Sequence, residues 1–478
     1  MFKRVARLAF FLIVSTPFQQ LGAQVHAWYS SESAKGPRAW LQGPQEIPNR
    51  LSPRPAISFR ARGETTGAVV RVDPTITYQP IEGIGSSLEE STVYNLMRMS
   101  PAARTRALRA LVDPEVGIGM NLMRICLGTS DFTARQFYTY DDLPPGEKDP
   151  GLKRFSIQKD IDYQIIRLLR EALAINKGLR LIASPWSPPG WMKNSGAIIG
   201  GSFLSEYTDV YARYLRMAVQ AYSEQGVPVY ALTLQNEPLY VPPDYPGCRM
   251  TAEQQRDLAP AVRRELDAHG LETRILIYDH NFDRAVEYAT VILRDARARQ
   301  AVYGTAFHSY AGRPGAMTEL HEAHPDKAVW FTERSYWGAN GMAEVAQFFR
   351  NWSGTYTGWV TMLDSELKPE QWTGTPGPTW LVQNAKDPDE VWFTADYYLV
   401  GQLSKFVKAG ALRIDSSSSA DNPSIQHVGF LNPGNEIVLV TINRSDRPQE
   451  VTVVAAEKQF QDTLPPKTVA TYTWKATP

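Results

Sequence analysis

The hydrophobic pattern divides the chain into two kinds of territory. Between residues 78 and 405 short apolar runs recur: IEGIG from Ile81, LMRICL from Leu122, LRLIAS from Leu179, VYALTL from Val229, RILIY from Arg274, VYGTAF from Val302, AVWFT from Ala328 and WVTML from Trp359. Runs of this length read as buried strands, and the helical period of apolar positions over residues 161–174, 203–225 and 252–269 reads as amphipathic helices between them. Eight strand-helix repeats in one run fit a closed (β/α)₈ TIM barrel, with an open doubly wound sheet as the alternative. Outside that run the period changes to two. AISFR from Ala56 and GAVVRVD from Gly67 alternate apolar with polar residues, and four strands at short, turn-separated spacing follow near the other end: IQHVGFLN from Ile425, EIVLVTINRS from Glu436, EVTVVAA from Glu450 and TVATYTWKA from Thr468. Such strands need a common sheet, so a side β-sandwich built from both ends of the chain is expected. Residues 24–55, rich in Ser, Pro and Gly, read as a leader or wrapping segment. The expected organisation is 56–77 as N-terminal strands of the sandwich, 78–405 as the catalytic barrel and 406–478 as the rest of the sandwich.

The first 23 residues change the picture of location. Lys3, Arg4 and Arg7 precede an apolar stretch over residues 8–14, and the small pair Gly22-Ala23 follows. This is the pattern of a secretory signal peptide cut after Ala23, and it implies a secreted or periplasmic protein with no integral membrane segment after cleavage. Lys plus Arg and Asp plus Glu both number 50, so no global field draws the chain to nucleic acid. Of the two cysteines, Cys126 and Cys248, neither has a neighbouring partner or metal-ligand spacing; a disulfide between them is an open option. No phosphate loop and no zinc-type cluster is present, and neither a metal nor an organic cofactor is expected.

A barrel gathers its functional side chains at the C-terminal ends of its strands. Two glutamates stand there. Glu237 ends VYALTLQNE and Glu333 ends AVWFTE. A pair of carboxyl groups on different strands can cleave a glycosidic bond with retention, one attacking the anomeric carbon and the other exchanging a proton. Asn236 is placed to bind a sugar 2-hydroxyl, and Pro238 stiffens the turn. Arg124, at the end of another strand, is the candidate to hold the nucleophile ionised, with an ordinary ion pair between Arg334 and Glu333 as the alternative. SPWSPPGW from Ser184 is a proline-fixed loop whose Trp186 suits a sugar-binding wall. His308 and Tyr310, two residues apart, point to one face and read as sugar-binding, and Asp131 can accept from sugar hydroxyls.

The ordered motifs EGIGSSLEEST, NLMRICLGTSDF, LIASPWSPPGWMK, LTLQNEP, GTAFHSYAG, WFTER and DYYLVGQLSKFV resemble the glucosylceramidase family, glycoside hydrolase family 30. The resemblance implies a barrel with a side β-sandwich, retaining hydrolysis with Glu237 as acid/base and Glu333 as nucleophile, and a sugar subsite lined by Arg124, Asp131, Trp186, Asn236, Tyr245 and Tyr310. Asn384, in TWLVQN, matches a binding asparagine. Where the family shows a Trp-Asn pair on the eighth strand, this chain is aligned at Leu363-Asp364, which opens xylose, galactose, fucose or an internal polysaccharide unit besides glucose. The expected substrate is a β-linked glycoside: glycolipid, oligosaccharide or polysaccharide. An endo-acting β-glycanase and a non-catalytic carbohydrate-binding protein are the alternatives, the latter disfavoured because both glutamates are present.

Overall fold

A computed structural model of the chain describes residues 24–476 except 35–40, 42, 373, 375, 378 and 419–421. The expected signal peptide over 1–23 lies outside the described residues. Eight parallel strands form the barrel: β1 Gly83–Ser87, β2 Leu122–Leu127, β3 Arg180–Pro185, β4 Ala231–Thr233, β5 Arg274–Asn281, β6 Gly304–His308, β7 Ala328–Glu333 and β8 Thr355–Thr357. Consecutive strands are neighbours, and β8 pairs with β1. The remaining gap is bridged at its lower end, where the Gly354 N–H donates to the Val329 carbonyl at 2.8 Å and the Phe331 N–H to Ser353 Oγ at 3.0 Å. The eighth strand therefore differs from expectation. WVTML is a stronger apolar run than TYT, yet it lies past the barrel, because Trp359 and Val360 face a cavity at its mouth.

The barrel interior is layered. Leu122, Ile182, Ala231, Leu276, Ala306 and Trp330 fill its middle as one apolar cluster. Below them Glu82 accepts from Arg180 at 2.7 Å and Arg274 at 3.0 Å and from the hydroxyl of Tyr230 at 2.7 Å, which satisfies the carboxylate at the N-terminal end. Two residues further along each strand the same inward phase turns polar: Arg124, Ser184, Thr233, His308 and Thr332.

The second sheet has eleven strands, in the order Ser52–Pro53, Gln24–Ser31, Thr468–Lys475, Glu436–Asn443, Ile425–Asn432, Leu412–Ser418, Ala68–Pro80, Gln449–Ala455, Lys458–Leu464 and Arg60–Ala61, with Ile57–Ser58 also on Gln24–Ser31. Its inner core includes Val25, Tyr29, Val70, Ile414, Leu439, Val453, Phe460 and Tyr472. Part of the expected leader is thus a full strand. Gln24–Ser31 alternates Val25 and Ala27 inward, and it lies between Ser52–Pro53 and the C-terminal strand Thr468–Lys475. Its alternation is masked in the sequence by serines that are themselves buried: Ser31 Oγ lies 2.8 Å from Thr468 Oγ1. Glu436–Asn443 is buried on both faces, because its other side belongs to the core shared with the barrel helices; Phe349, on the helix Gly338–Arg350, meets Phe430 edge-on at 5.4 Å. Cys126 and Cys248 are both buried and unpaired. Among the described residues no helix is long and apolar enough to cross a membrane.

His427 lies in this inter-domain seam, its Nδ1 3.0 Å from Ser416 Oγ. Burial, reinforced by Arg350, depresses its pKa to about 3. Unfolding restores an ordinary value, so between pH 6.5 and 3 the unfolded chain binds one proton more than the native one. The neutral ring contributes fully above pH 6.5, and stability falls by about 1.4 kcal/mol per pH unit below it. His427→Gln should therefore lose less stability than the parent between pH 6.5 and 4.5, by about 2.7 kcal/mol in denaturant titrations. Identical acid slopes would refute this.

Candidate active site

The site begins with the polar layer above the apolar one. Four strands place Arg124, Ser184, Thr233 and His308 inward simply by continuing the period of two. The fifth would place Tyr278 there, but β5 carries a register shift between Tyr278 and His280. Tyr278 and Asp279 both adopt left-handed backbone, at φ 71° and 59°. This bulge turns the tyrosine outward and Asp279 inward. The Asp279 carboxylate then takes hydrogen bonds from Arg124 Nη2 at 2.7 Å, Thr233 Oγ1 at 2.8 Å, Ser184 Oγ at 3.2 Å and Thr332 Oγ1 at 2.7 Å, and faces His308 Nε2 at 3.1 Å. Burial opposes its ionisation, but Arg124 and then His308 outweigh burial and hold it well below the usual carboxylate range. Asp279 is the buried anchor of the site.

On this layer stand the two glutamates. Glu237 has φ 45°, and its N–H donates to the Asp279 carbonyl at 3.0 Å, so the turn after β4 is tied to the bulge of β5. Glu333 ends β7. Arg124 Nη1 bonds its Oε2 and the Tyr310 hydroxyl donates to its Oε1 at 2.8 Å, which fixes both oxygens. Arg334 does not pair with Glu333; its guanidinium reaches the Ser309 carbonyl and lies over the rings of Tyr310 and Tyr336. One imidazole nitrogen, His308 Nδ1, is 3.2 Å from Glu237 Oε1 and 3.7 Å from Glu333 Oε1. The two carboxylate oxygens can be no farther apart than those steps laid end to end, and any bend at the nitrogen brings them closer. That bound reaches only the bottom of the ~6.5–9.5 Å window of inverting pairs and comfortably admits the ~5–5.5 Å of retaining ones.

The protonation pattern follows from these contacts. Burial alone would discharge the His308 ring, but Glu333 and Asp279 outweigh it and lift its pKa to about 9. Burial would likewise raise Glu237, yet the neighbouring rings of His280 and His308 bring it down to about 2. In the empty cavity the proton of this pair therefore sits on His308, one hydrogen bond from Glu237. Asp131 behaves oppositely: burial and then the nearby Glu333 raise its pKa well above the usual range.

The mouth opens into a cavity of about 610 Å³ lined by Asp131, Trp186, Asn236, Tyr245, Tyr310 and both glutamates, among others. Of the expected binding residues these reach the cavity. Asn236 Oδ1 accepts from Arg124 Nη2 at 2.8 Å, so its amide hydrogens are left for a ligand. Arg124 and His308 do not line the cavity. Both are fully buried beneath it, Arg124 against Glu333 and His308 against Glu237. Asn384 is outside the site as well: it follows the short strand Leu381–Gln383 and is held by Glu390 through its side chain at 2.6 Å and its N–H at 2.9 Å. The Leu363-Asp364 placement is also corrected. Leu363 is packed against Phe132 and Val360, and Asp364 Oδ1 accepts the N–H groups of Glu366 and Lys368 at 2.9 Å. The aromatic at the end of the eighth repeat is Trp359, stacked on Trp186 at 5.1 Å and lining the cavity, with Val360 beside it. His280 and Trp359 were not singled out as site residues in the sequence, and Asp279 was legible only as an acid at the end of its strand, without a role. The recurring pattern of an inward apolar residue followed two later by a polar one would have led to Asp279's layer.

Two family descriptions account for most of the chain: the glycosyl hydrolase family 30 TIM-barrel domain matches residues 81–406, and the glycosyl hydrolase family 30 beta sandwich domain matches residues 410–472. A putative glucosylceramidase 2 of Caenorhabditis elegans is 30% identical over 444 residues, covering 84% of this chain and 82% of that protein. An endo-1,6-beta-D-glucanase of Neurospora crassa is 31% identical over 410 residues, covering 80% and 82%. The solved structure of an endo-beta1,6-glucanase superposes with a TM-score of 0.82 at 28% identity, covering 95% of this chain and all of that one. With its barrel and its sandwich both matched, the chain belongs to glycosyl hydrolase family 30 and is a glycoside hydrolase.

Proposed function

We propose that the protein is an exported, retaining β-glycosidase of glucosylceramidase-like type in which Glu333 is the nucleophile and Glu237 the acid/base. The observation that carries this reading is the unequal support of two adjacent carboxylates. Glu333 has both oxygens fixed, by Arg124 and Tyr310, as an attacking group requires. Among the described residues the Glu237 carboxylate is paired with imidazole alone, and His308 Nδ1 holds a proton 3.2 Å from it. In the first step Glu333 forms a bond to the anomeric carbon as the bond to the leaving oxygen breaks. That oxygen takes the one proton of the pair, which Glu237 draws from His308 and passes on, so that Glu237 is left ionised and His308 neutral. In the second step water attacks the same carbon, gives its proton to Glu237 and releases Glu333. Trp186 and Trp359 offer a stacked aromatic wall for the sugar. With an aromatic retained at the eighth repeat, glucose is the sugar assigned to the cleaved subsite, consistent with relatives named as glucosylceramidase and as glucanase.

One feature favours a second reading, endo-hydrolysis of a β-1,6-glucan: the cavity extends beyond the glutamates to Tyr240 and Trp337, two aromatic side chains that are 47% and 40% exposed. Aryl β-glucoside, -xyloside, -galactoside and -fucoside, glucosylceramide in micelles and β-1,6-glucan separate the readings. Release of glucose from the aryl glucoside and the glycolipid, with the β anomer appearing first by NMR, is the expected result. Mid-chain cleavage of the glucan with silence on the glycolipid would replace it with the endo reading, and first appearance of the α anomer would overturn retention.

A further inference from the structure

We propose that Glu237, His280 and His308 form a site for one borderline transition-metal ion, Zn²⁺ or Cu²⁺, entered from the cavity, and that its occupancy blocks turnover. Each of the three residues offers one donor atom within 4.8 Å of the other two. The carboxylate oxygen is 3.2 Å from His308 Nδ1 and 3.6 Å from His280 Nδ1. An ion held ~2.0–2.2 Å from each of three tetrahedrally disposed ligands needs separations of just this order.

A second observation points to a ligand independently. His280 is only 7% exposed, and its Nδ1 is buried with no hydrogen-bond partner among the described residues. A buried ring nitrogen left unpaired is disfavoured, and an ion supplies the missing partner. The companion histidine is prepared in the way metal-binding imidazoles are. Its far nitrogen, Nε2, faces Asp279 Oδ1 at 3.1 Å, and that oxygen is itself held by Thr332 Oγ1 at 2.7 Å. With Nε2–H donating to a fixed carboxylate, the Nδ1 lone pair is aimed at the ion. Two imidazoles and one carboxylate select zinc or copper over magnesium or calcium, which prefer all-oxygen ligands. Glu237 and His280 both line the cavity, so an ion can arrive without unfolding and keep a coordination position open to water.

Metal binding does not depend on the catalytic reading; only the loss of turnover rests on it, because the ion would occupy the carboxylate assigned as acid/base. Isothermal titration of chelator-treated protein with Zn²⁺, and with Mg²⁺ as a control, tests both parts. One equivalent of Zn²⁺ should bind, Mg²⁺ should not, and His280→Ala and His280→Gln should each weaken Zn²⁺ by at least about tenfold. Circular dichroism of both variants checks that they fold. Co²⁺ in place of Zn²⁺ should give the intense visible absorption of a low-coordinate site, absent in the variants. No stoichiometric binding, or binding undiminished in folded His280 variants, would overturn the site. Stoichiometric binding with glycoside turnover unchanged would overturn the blocking role and, with it, the assignment of Glu237 as acid/base.

Discussion

Glu333→Ala should reduce turnover of every glycoside by on the order of 10⁴-fold or more, and azide should then restore a product of inverted, α configuration. The reason is geometric. Removing the carboxylate leaves a space on the face of the sugar opposite the leaving group, bounded by Arg124 and Tyr310, and a small anion can attack from it once. Glu237→Ala should behave differently. Loss of the proton donor should slow substrates with poor leaving groups by about 10²–10⁴-fold, while a dinitrophenyl leaving group, which departs without a proton, should still be released in the first step. The glycosyl-enzyme then accumulates, and azide should intercept it with a product of retained, β configuration. NMR of the two azide products assigns the roles directly. Exchange of the two configurations would reverse the assignment, and full activity in either variant would refute it.

The second large effect is expected at Arg124, which lies fully buried among four acceptors: Ser184, Asn236, Asp279 and Glu333. Its guanidinium also lies over the Trp186 ring at 4.9 Å. Arg124→Met retains volume but leaves two buried carboxylates without their cation, and removing one partner of a buried pair costs about 3–5 kcal/mol. Denaturant unfolding should show a loss of that size, and kcat should fall with it because Glu333 loses an anchored oxygen. Adding Asp279→Asn to this variant removes one uncompensated charge, so the double variant should recover part of the stability and none of the activity. A single variant as stable as the parent would show that the four contacts contribute little.

Much of this arrangement was legible in the sequence because it depends on local pattern. Each of the two glutamates ends an apolar run, and an apolar run ending in a carboxyl group is a local statement. Arg124 was legible in its pairing with Glu333 but not in its depth, and His308 was legible as a residue but not as a role. Whether a side chain at a strand end touches substrate or lies beneath it depends on the depth of its layer, which is set by seven other strands. Asp279 was legible as a strand-end acid but not as the buried anchor, for a related reason: the period of two points Tyr278 inward, and only the bulge exchanges it for its neighbour. The strand Gln24–Ser31 has its partner some 440 residues away at Thr468–Lys475, so nothing near it in sequence declares a sheet. Lys458–Leu464 is rich in polar residues and was passed over, although Phe460 supplies a ring to the sandwich core. Trp359 was displaced by a stronger apolar run beside it.

That pairing of the first described strand with the last has a consequence for assembly. The barrel is in effect an insertion within the sandwich, with all eight of its strands made after residue 80 and before residue 412. As the chain emerges, the barrel repeats can find their sequence neighbours in turn. The opening strand must wait, unpaired along one edge, until the final residues are synthesised. Long-range pairings of this kind form late and leave edges exposed in the meantime. The sandwich thus closes only after every barrel strand has been made, and a chain without Thr468–Lys475 would leave one edge of Gln24–Ser31 unsheltered.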